Sequence, residues 1–238
     1  MKVFVVNLER RPDRRRRMEQ ILPASWEVEF TTDWLEPTDG TSITAEDLKD
    51  YQLFPWQIES SNNWWNRPLK LGEIGCAINH LSCWRRAAQL GSEPVLILED
   101  DVKLAVQIDL LLQHGLKQLD AIDPGWQLVY LGRWALDPGA DIPTGHGLVR
   151  PAYSYCTFAY MLSRAGVAAL LESGFERDII PVDELLPALY MPHPRADVRD
   201  RYPPRLRAYA FEPPLVMQLP KALAGSDTEI SEFLGNGQ

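Results

Sequence analysis

Short, continuous apolar runs alternate along this chain with longer segments in which apolar residues recur every three or four positions. The runs at 2–8, 95–98, 126–131 and 153–162 end at charges or turn residues, a pattern typical of strands buried on both faces. The recurrence over 72–90 predicts the clearest helix, because it places apolar side chains along one stripe. Buried strands and amphipathic helices therefore share this chain.

Weaker segments follow the same two patterns. Helices are predicted at 12–22, from residue 44, at 109–119, at 163–171 and from residue 183, and strands at 27–31 and 215–219. A polar loop is predicted at 137–147, and the tail from residue 192 is rich in Pro and Arg. Strands that alternate with helices predict an α/β architecture. Since 238 residues show no repeat and no linker, we expect a single domain over 1–238.

Three consecutive acids, Glu99, Asp100 and Asp101, follow the apolar run at 95–98. Adjacent carboxylates repel one another, so such a cluster is costly unless something positive lies beside it. Ligands of open α/β sheets bind at the carboxyl ends of strands, and Mg²⁺ and Mn²⁺ prefer oxygen ligands. The alternative is a solvated acidic turn, and this pattern alone favours neither interpretation.

Six arginines lie within eight residues, between Arg10 and Arg17. For Arg15, Arg16 and Arg17 we expect an ordinary solvated helix face. Arg10 and Arg14 follow the first predicted strand and are four residues apart, so both can face one anion. Guanidinium groups suit a diphosphate, since their planar donors match its oxygens.

Composition excludes several classes of protein. A net charge of −9 argues against a general binder of nucleic acid or of anionic membranes. No segment reaches the roughly 18 apolar residues that a membrane span needs, and the first apolar run is too short for a signal peptide. Three cysteines without a CxxC motif favour a reduced, cytoplasmic compartment. Peripheral membrane association through a partner and the oligomeric state stay open.

Two groups of residues have competing interpretations. Cys76, His80 and Cys83 share one face of the predicted helix and offer a zinc trio, but a histidine bonded in the core beside two small cysteines is favoured. Trp64 and its two tryptophan neighbours in the loop at 54–67, Trp56 and Trp65, offer faces for stacking on a sugar. Anchoring of that loop to the core is favoured, because aromatic residues bury large areas.

The ordered motifs resemble glycosyltransferase family 25, which includes lipopolysaccharide galactosyltransferases and procollagen galactosyltransferases. Four blocks carry the resemblance: 5–14 (VVNLERRPDR), 71–80 (LGEIGCAINH), 96–102 (LILEDDV), and 160–166 (YMLSRAG) with 182–187 (VDELLP). A weaker fifth block joins 214–218 (PLVMQ) to Ser226 and Asp227. The combination covers most of the chain.

The resemblance implies a GT-A-like nucleotide-sugar-binding fold with a mostly parallel mixed sheet flanked by helices. It also implies a nucleotide-binding part at about 1–135 and an acceptor-side part at about 136–238. Asp101, with Glu99, would hold Mn²⁺ or Mg²⁺. The family's Asp-x-Asp-like motif corresponds to residues 99–101 here, and its first position is Glu instead of Asp. Residues expected at the donor, a UDP-sugar, are Asn7, Leu8, Arg10, Arg14, Gly75, Asn79, His80, Glu99 and Asp100.

The resemblance further implies direct displacement with inversion, which needs a base for the acceptor's hydroxyl proton. Asp183 is the first candidate and Glu184 the second. The alternative for this pair is two acids that favour a helix N-terminus. The expected reaction moves a hexose, galactose or glucose, to a glycan, a lipid-linked saccharide or a protein. An inactive carbohydrate-binding or scaffold protein of the same fold is the alternative function.

Overall fold

The structure is a computed structural model that describes residues 1–91 and 94–235. Its helices are α1 (Pro12–Ile21), α2 (Ala45–Leu48), α3 (Leu71–Leu90), α4 (Ile108–Ile122), α5 (Arg164–Leu171), α6 (Val182–Tyr190), α7 (Ala196–Arg201) and α8 (Lys221–Ala224). Its strands are β1 (Lys2–Val6), β2 (Glu27–Phe30), β3 (Val95–Glu99), β4 (Val102–Leu104), β5 (Leu128–Ala135), β6 (Ile142–Gly145), β7 (Leu148–Arg150), β8 (Ser154–Leu162), β9 (Ala208–Phe211) and β10 (Val216–Gln218). Within these residues, we find no helix whose length and apolar character would suit a membrane span.

Eight strands form one mixed sheet in the order β2-β1-β3-β8-β5-β9-β7-β6. β1 is parallel to both β2 and β3, and β5 is parallel to β9. β8 is antiparallel to β3 and β5, and β7 is antiparallel to β9 and β6. Except for β7 and β8, all strands of this sheet therefore point in the same direction. This confirms the predicted α/β fold with a mostly parallel mixed sheet.

Helices cover both faces of this sheet. Alternate residues of the central strands, such as Phe4 and Ile97, face a core formed with α3, α5 and α6. Their neighbours, such as Val5 and Leu96, face a second core formed with α1 and α4. Because both faces are buried, these strands carry continuous apolar runs instead of alternating ones. This explains why β1 and β3 could be predicted from their sequence.

The predicted loop at 137–147 was wrong in part, because it contains β6 and leads into β7. β6 lies at the edge of the sheet and is largely exposed, so it carries no apolar run. The tail contains α7 and β9 in addition to the predicted last strand. β9 has only four residues, too few for a periodic pattern to stand out.

A small second sheet brings the tail of the chain back to the turn that carries Glu99, Asp100 and Asp101. β10 pairs antiparallel with β4, which follows directly after Asp101. The backbone N–H of Leu219 donates to the carbonyl of Asp101 at 2.7 Å. Residues near the C-terminus are therefore held beside the carboxyl ends of β1 and β3.

Candidate active site

Predicted residues from three separate segments meet where β1 and β3 end. The two strands are parallel neighbours, and Val6 is in register with Glu99. A cavity of about 110 Å³ opens there. Of the predicted residues, those that line it are Asn7, Leu8, Arg10, Arg14, Asn79, Glu99, Asp100 and Asp101. The topology of the sheet thus places the early arginines beside the three acids.

Asp100 is buried and has a partner for each carboxylate oxygen. Asn7 Nδ2 donates to Oδ2 at 2.7 Å, and Arg14 Nη1 donates to Oδ1 at 2.7 Å. Burial raises the pKa of Asp100 above its ordinary value, while Arg14 and Asn7 oppose that rise. The carboxylate therefore positions the two side chains that were predicted to contact the donor.

Asp101 is also buried, but among the residues that the structure describes only one of its two carboxylate oxygens has a hydrogen-bond partner. Gln218 Nε2 donates to Oδ2 at 3.1 Å, and Oδ1 has no partner among the described residues. Burial, followed by the charge of Glu99, raises the pKa of Asp101 to about 7. A buried acceptor without a donor is costly, and a cation removes that cost. Asp101 therefore fits the hard divalent cation that the family resemblance implies, and Glu99 lines the same cavity.

Arg17 supports the acidic turn, contrary to the predicted solvated face. Its guanidinium donates to the carbonyls of Asp100 and Val102, both at 2.7 Å. Arg15 instead forms ion pairs with Glu19 and Asp33. Counting charges along a helix could not distinguish Arg17, because its partners are backbone carbonyls of a distant turn.

Asp227 is engaged by three arginines of the N-terminal segment. Its carboxylate accepts from Arg10 Nη1 at 2.5 Å and from Arg11 Nη1 at 2.8 Å, and it lies 3.1 Å from Arg14 Nη1. The sequence placed Asp227 in a weak block without a role. A carboxylate of the tail thus occupies the part of the cavity where guanidinium groups converge.

Asn79 and Gly75 hold a loop against α3 at the cavity wall. Asn79 accepts from the backbone N–H of Thr38 at 2.9 Å and donates to its carbonyl at 3.0 Å. A Cβ at Gly75 would lie 2.8 Å from the carbonyl oxygen of Thr38, so glycine permits this close approach. Gly75 and His80 are both buried, and neither is among the residues that line this cavity.

A second cavity of about 290 Å³ adjoins the first and shares Cys76, Glu99 and Gln218 with it. Asp183, at the start of α6, lines this second cavity. Burial, followed by the charges of Glu184 and other acids, raises the pKa of Asp183 to about 8. A carboxylate with a pKa near neutrality is suited to accept a proton.

Glu184 has a different environment from its neighbour. It is fully buried, and it accepts from Trp65 Nε1 at 3.2 Å, from His193 Nε2 at 3.0 Å and from the hydroxyl of Tyr153. Its carboxylate is thus surrounded by donors from three segments and does not line either cavity. The prediction that named Glu184 as a second candidate base could not anticipate these partners.

The tryptophans of the loop at 54–67 include both residues that anchor the loop to the core and one that faces a cavity. Trp56 is buried and Trp65 bonds Glu184, so these two anchor the loop to the core. Trp64 is 36% exposed and lines the second cavity with Tyr155, at 6.5 Å between ring centroids. Tyr155 was missed from the sequence, because nothing in an apolar strand marks one aromatic residue as facing a cleft.

Comparisons with known proteins agree on one family. The profile of glycosyltransferase family 25 (LPS biosynthesis protein) matches residues 1–134. Procollagen galactosyltransferase 2 of Mus musculus is 34% identical over 98% of this chain and 38% of its own length. Procollagen galactosyltransferase 1 of Danio rerio is 33% identical over 98% of this chain and 39% of its own.

A third relative, inactive glycosyltransferase 25 family member 3 of Homo sapiens, is 34% identical over 96% of this chain and 39% of its own length. The chain thus spans about two fifths of the length of the curated relatives that it matches. Mouse xyloside xylosyltransferase 1 shares 12% identity with a TM-score of 0.32, covering 76% of this chain and 66% of its own, a likeness too weak to bear on function.

Proposed function

The chain belongs to glycosyltransferase family 25, and we propose that it is a metal-dependent, inverting hexosyltransferase. The donor is a UDP-sugar, with galactose or glucose as the transferred hexose. The acceptor is a hydroxyl group of a glycan, a lipid-linked saccharide or a protein. The observation that carries this proposal is a buried oxygen of Asp101 that has no hydrogen-bond partner in the described part of the chain and lies beside a cavity with converging arginines.

Asp101 and Glu99 would hold Mn²⁺ or Mg²⁺. Both side chains line the first cavity, and Glu99 contributes to the raised pKa of Asp101. When bound, the metal neutralises negative charge on the departing diphosphate. Hard cations of this kind need only one or two carboxylates when a substrate phosphate supplies other oxygens.

Arg10 and Arg14 would bind the diphosphate, with Asn7 and Leu8 beside the uridine. Arg14 is already oriented by Asp100, which reduces the entropy lost when it engages a phosphate. Arg10 is held by Asp39 and Asp227, so an incoming diphosphate exchanges one anionic partner for another. His80 and Gly75 shape the wall behind the donor and do not contact it directly.

Asp183 would act as the general base from the second cavity. Its carboxylate accepts the proton of the acceptor hydroxyl while the hydroxyl oxygen attacks the anomeric carbon. The bond between that carbon and the diphosphate oxygen breaks as the new bond forms, the diphosphate leaves with the electron pair, and inversion follows from attack on the opposite face. Trp64 and Tyr155, which line the same cavity as Asp183, offer aromatic faces to the acceptor. Glu184 positions α6 through its buried hydrogen bonds.

A panel of nucleotide-sugars tested by thermal shift, with and without Mn²⁺, tests this proposal. A ligand at about 100 times its dissociation constant adds about 2.7 kcal/mol to the free energy of unfolding. For a chain of this size that stabilisation raises the melting temperature by roughly 5–10 °C. We expect the largest rise for a UDP-hexose together with Mn²⁺. No metal-dependent rise with any UDP-sugar would contradict the proposal.

Binding without turnover would favour the alternative, a carbohydrate-binding or scaffold protein of the same fold. The relative named inactive glycosyltransferase 25 family member 3 is the reason to test binding and turnover separately. Release of UDP in the same samples separates the two functions. Turnover requires both Asp101 and Asp183, whereas donor binding requires only the first cavity.

A further inference from the structure

Cys76, His80 and Glu99 form a cluster at the junction of the two cavities. Cys76 and His80 lie one turn apart on α3, and Glu99 is the last residue of β3. One ligand atom from each residue lies within 4.8 Å of the other two. Cys83, which shares the same helix face in sequence, is buried in the core away from this cluster. Of the three residues that the sequence places on one face of this helix, Cys76 and His80 lie in the cluster and Cys83 does not.

His80 is the informative member of this cluster. Its side chain is fully buried, yet Nε2 has no hydrogen-bond partner among the described residues. Glu99 Oε1 lies 3.7 Å from Nε2, beyond hydrogen-bond distance. A buried imidazole nitrogen without a partner costs about 1–3 kcal/mol. Its position facing a sulfur and a carboxylate oxygen is explained if all three bind one cation.

The surrounding residues orient two of the three ligands. His80 Nδ1 lies 2.8 Å from the hydroxyl of Tyr160, which also accepts from Trp84 Nε1 at 2.9 Å. Thr157 Oγ1 donates to Glu99 Oε1 at 3.1 Å. Metal-binding histidines and carboxylates are commonly held by such hydrogen bonds. The cluster thus has the outer support that a metal site needs.

We propose that Cys76, His80 and Glu99 bind a borderline transition metal ion, Zn²⁺ in particular. Sulfur and imidazole donors prefer Zn²⁺ over Mg²⁺ or Mn²⁺, so this site differs in chemistry from the one on Asp101. Three protein ligands leave a fourth position, which faces the cavities. On binding, the Cys76 thiol releases its proton to solvent, and His80 takes the tautomer with its proton on Nδ1, which donates to Tyr160 and leaves Nε2 free for the metal.

Sharing of Glu99 has a consequence that rests on the proposed function. Zn²⁺ bound at this cluster takes Glu99 away from the Mn²⁺ held by Asp101. Zn²⁺ therefore inhibits the Mn²⁺-dependent reaction, and the inhibition is weakened when Cys76 is replaced. Binding of Zn²⁺ by the cluster does not require transferase activity. It can therefore be tested separately from the proposed function.

Titration of the metal-free chain with Co²⁺ tests the site without any activity. Co²⁺ is a spectroscopic substitute for Zn²⁺ whose bond to a thiolate gives a charge-transfer band. We expect one equivalent of Co²⁺ to bind with that band and Zn²⁺ to displace it, because thiolate ligands select Zn²⁺. Cys76→Ser should abolish the band and weaken binding by roughly 100-fold or more, since even outer partners contribute 10- to 100-fold.

Cys156→Ser is the matched control, because Cys156 lines the second cavity but lies outside the cluster. It should keep the band and the affinity of the wild type. The site is refuted if the folded wild type shows no thiolate band. It is equally refuted if the band survives in Cys76→Ser or disappears in Cys156→Ser. Thermal melting of each metal-free variant verifies that it is folded.

Discussion

Replacement of Asp183 by Asn should lower activity and raise stability together. Burial, followed by the charge of Glu184, raises the pKa of Asp183 from 3.8 to about 8. A carboxyl group with a raised pKa contributes stability that is complete below its unfolded-state pKa and is lost as the pH rises through about 8. Above that pH the folded wild type carries a buried charge, and Asp183→Asn removes it.

The size of the effect follows from the pKa shift. At about 1.4 kcal/mol per unit, a rise from 3.8 to about 8 sets an upper limit of roughly 6 kcal/mol. Solvent in the open second cavity lowers the cost of the charge on Asp183. We therefore expect Asp183→Asn to add about 1–3 kcal/mol to the free energy of unfolding. Since 1 kcal/mol corresponds to about 2–4 °C here, Asp183→Asn should melt roughly 2–12 °C above the wild type at pH 9. At pH 4 the two proteins should melt alike.

Glu184→Gln is the matched control, one residue along α6. Its carboxylate accepts from Trp65, Tyr153 and His193, and the amide group of Gln places a donor against donors. We expect a loss of about 1–3 kcal/mol in the free energy of unfolding. The assay is fluorimetric melting from pH 4 to 9, together with UDP release, which Asp183→Asn should slow by about 10²–10⁴. A melting temperature of Asp183→Asn below that of the wild type at pH 9, or unchanged turnover, would refute the reasoning.

Three further predictions concern the two cavities. Asp101→Asn should abolish the Mn²⁺-dependent rise in melting temperature without lowering the melting temperature of the metal-free chain, and an undiminished rise would remove Asp101 from the metal site. Asp227→Asn should remove one of the two carboxylates that pair with Arg10 and tighten UDP binding by roughly 3- to 10-fold, about 1 kcal/mol, in calorimetry, whereas weaker binding would mean that Asp227 positions the arginines. Trp64→Ala should raise the KM for the acceptor and leave that for the UDP-sugar unchanged, because Trp64 lines the cavity of Asp183 and not that of Arg10.

Sequence patterns predicted the parts of the fold that local physics determines. β1 and β3 are buried on both faces, and α3 presents one apolar stripe, so each carries a strong periodic signal. The order of these elements then brings the carboxyl ends of β1 and β3 together. For this reason the arginines and the acids could be placed at one sheet edge before their geometry was known.

Contacts between distant segments were not predictable in the same way. The hydrogen bonds of Glu184 come from residues 65, 153 and 193, and nothing near Glu184 in sequence distinguishes it from Asp183. Asp227 reaches the arginines only because β10 pairs with β4 and returns the tail. The edge strand β6 was missed because exposed strands need no apolar run. The sequence therefore predicted which residues approach the site, but not the hydrogen-bond partners that give each residue its role.

Release of UDP from UDP-galactose and UDP-glucose, measured with Mn²⁺ and after chelation, tests the central claim most directly. The buried oxygen of Asp101, which has no partner within residues 1–91 and 94–235, predicts that turnover requires the cation, so that chelation and Asp101→Asn each stop UDP release from a folded protein. Release at an equal rate after chelation, or by Asp101→Asn as by the wild type, would contradict the proposed metal-dependent transferase.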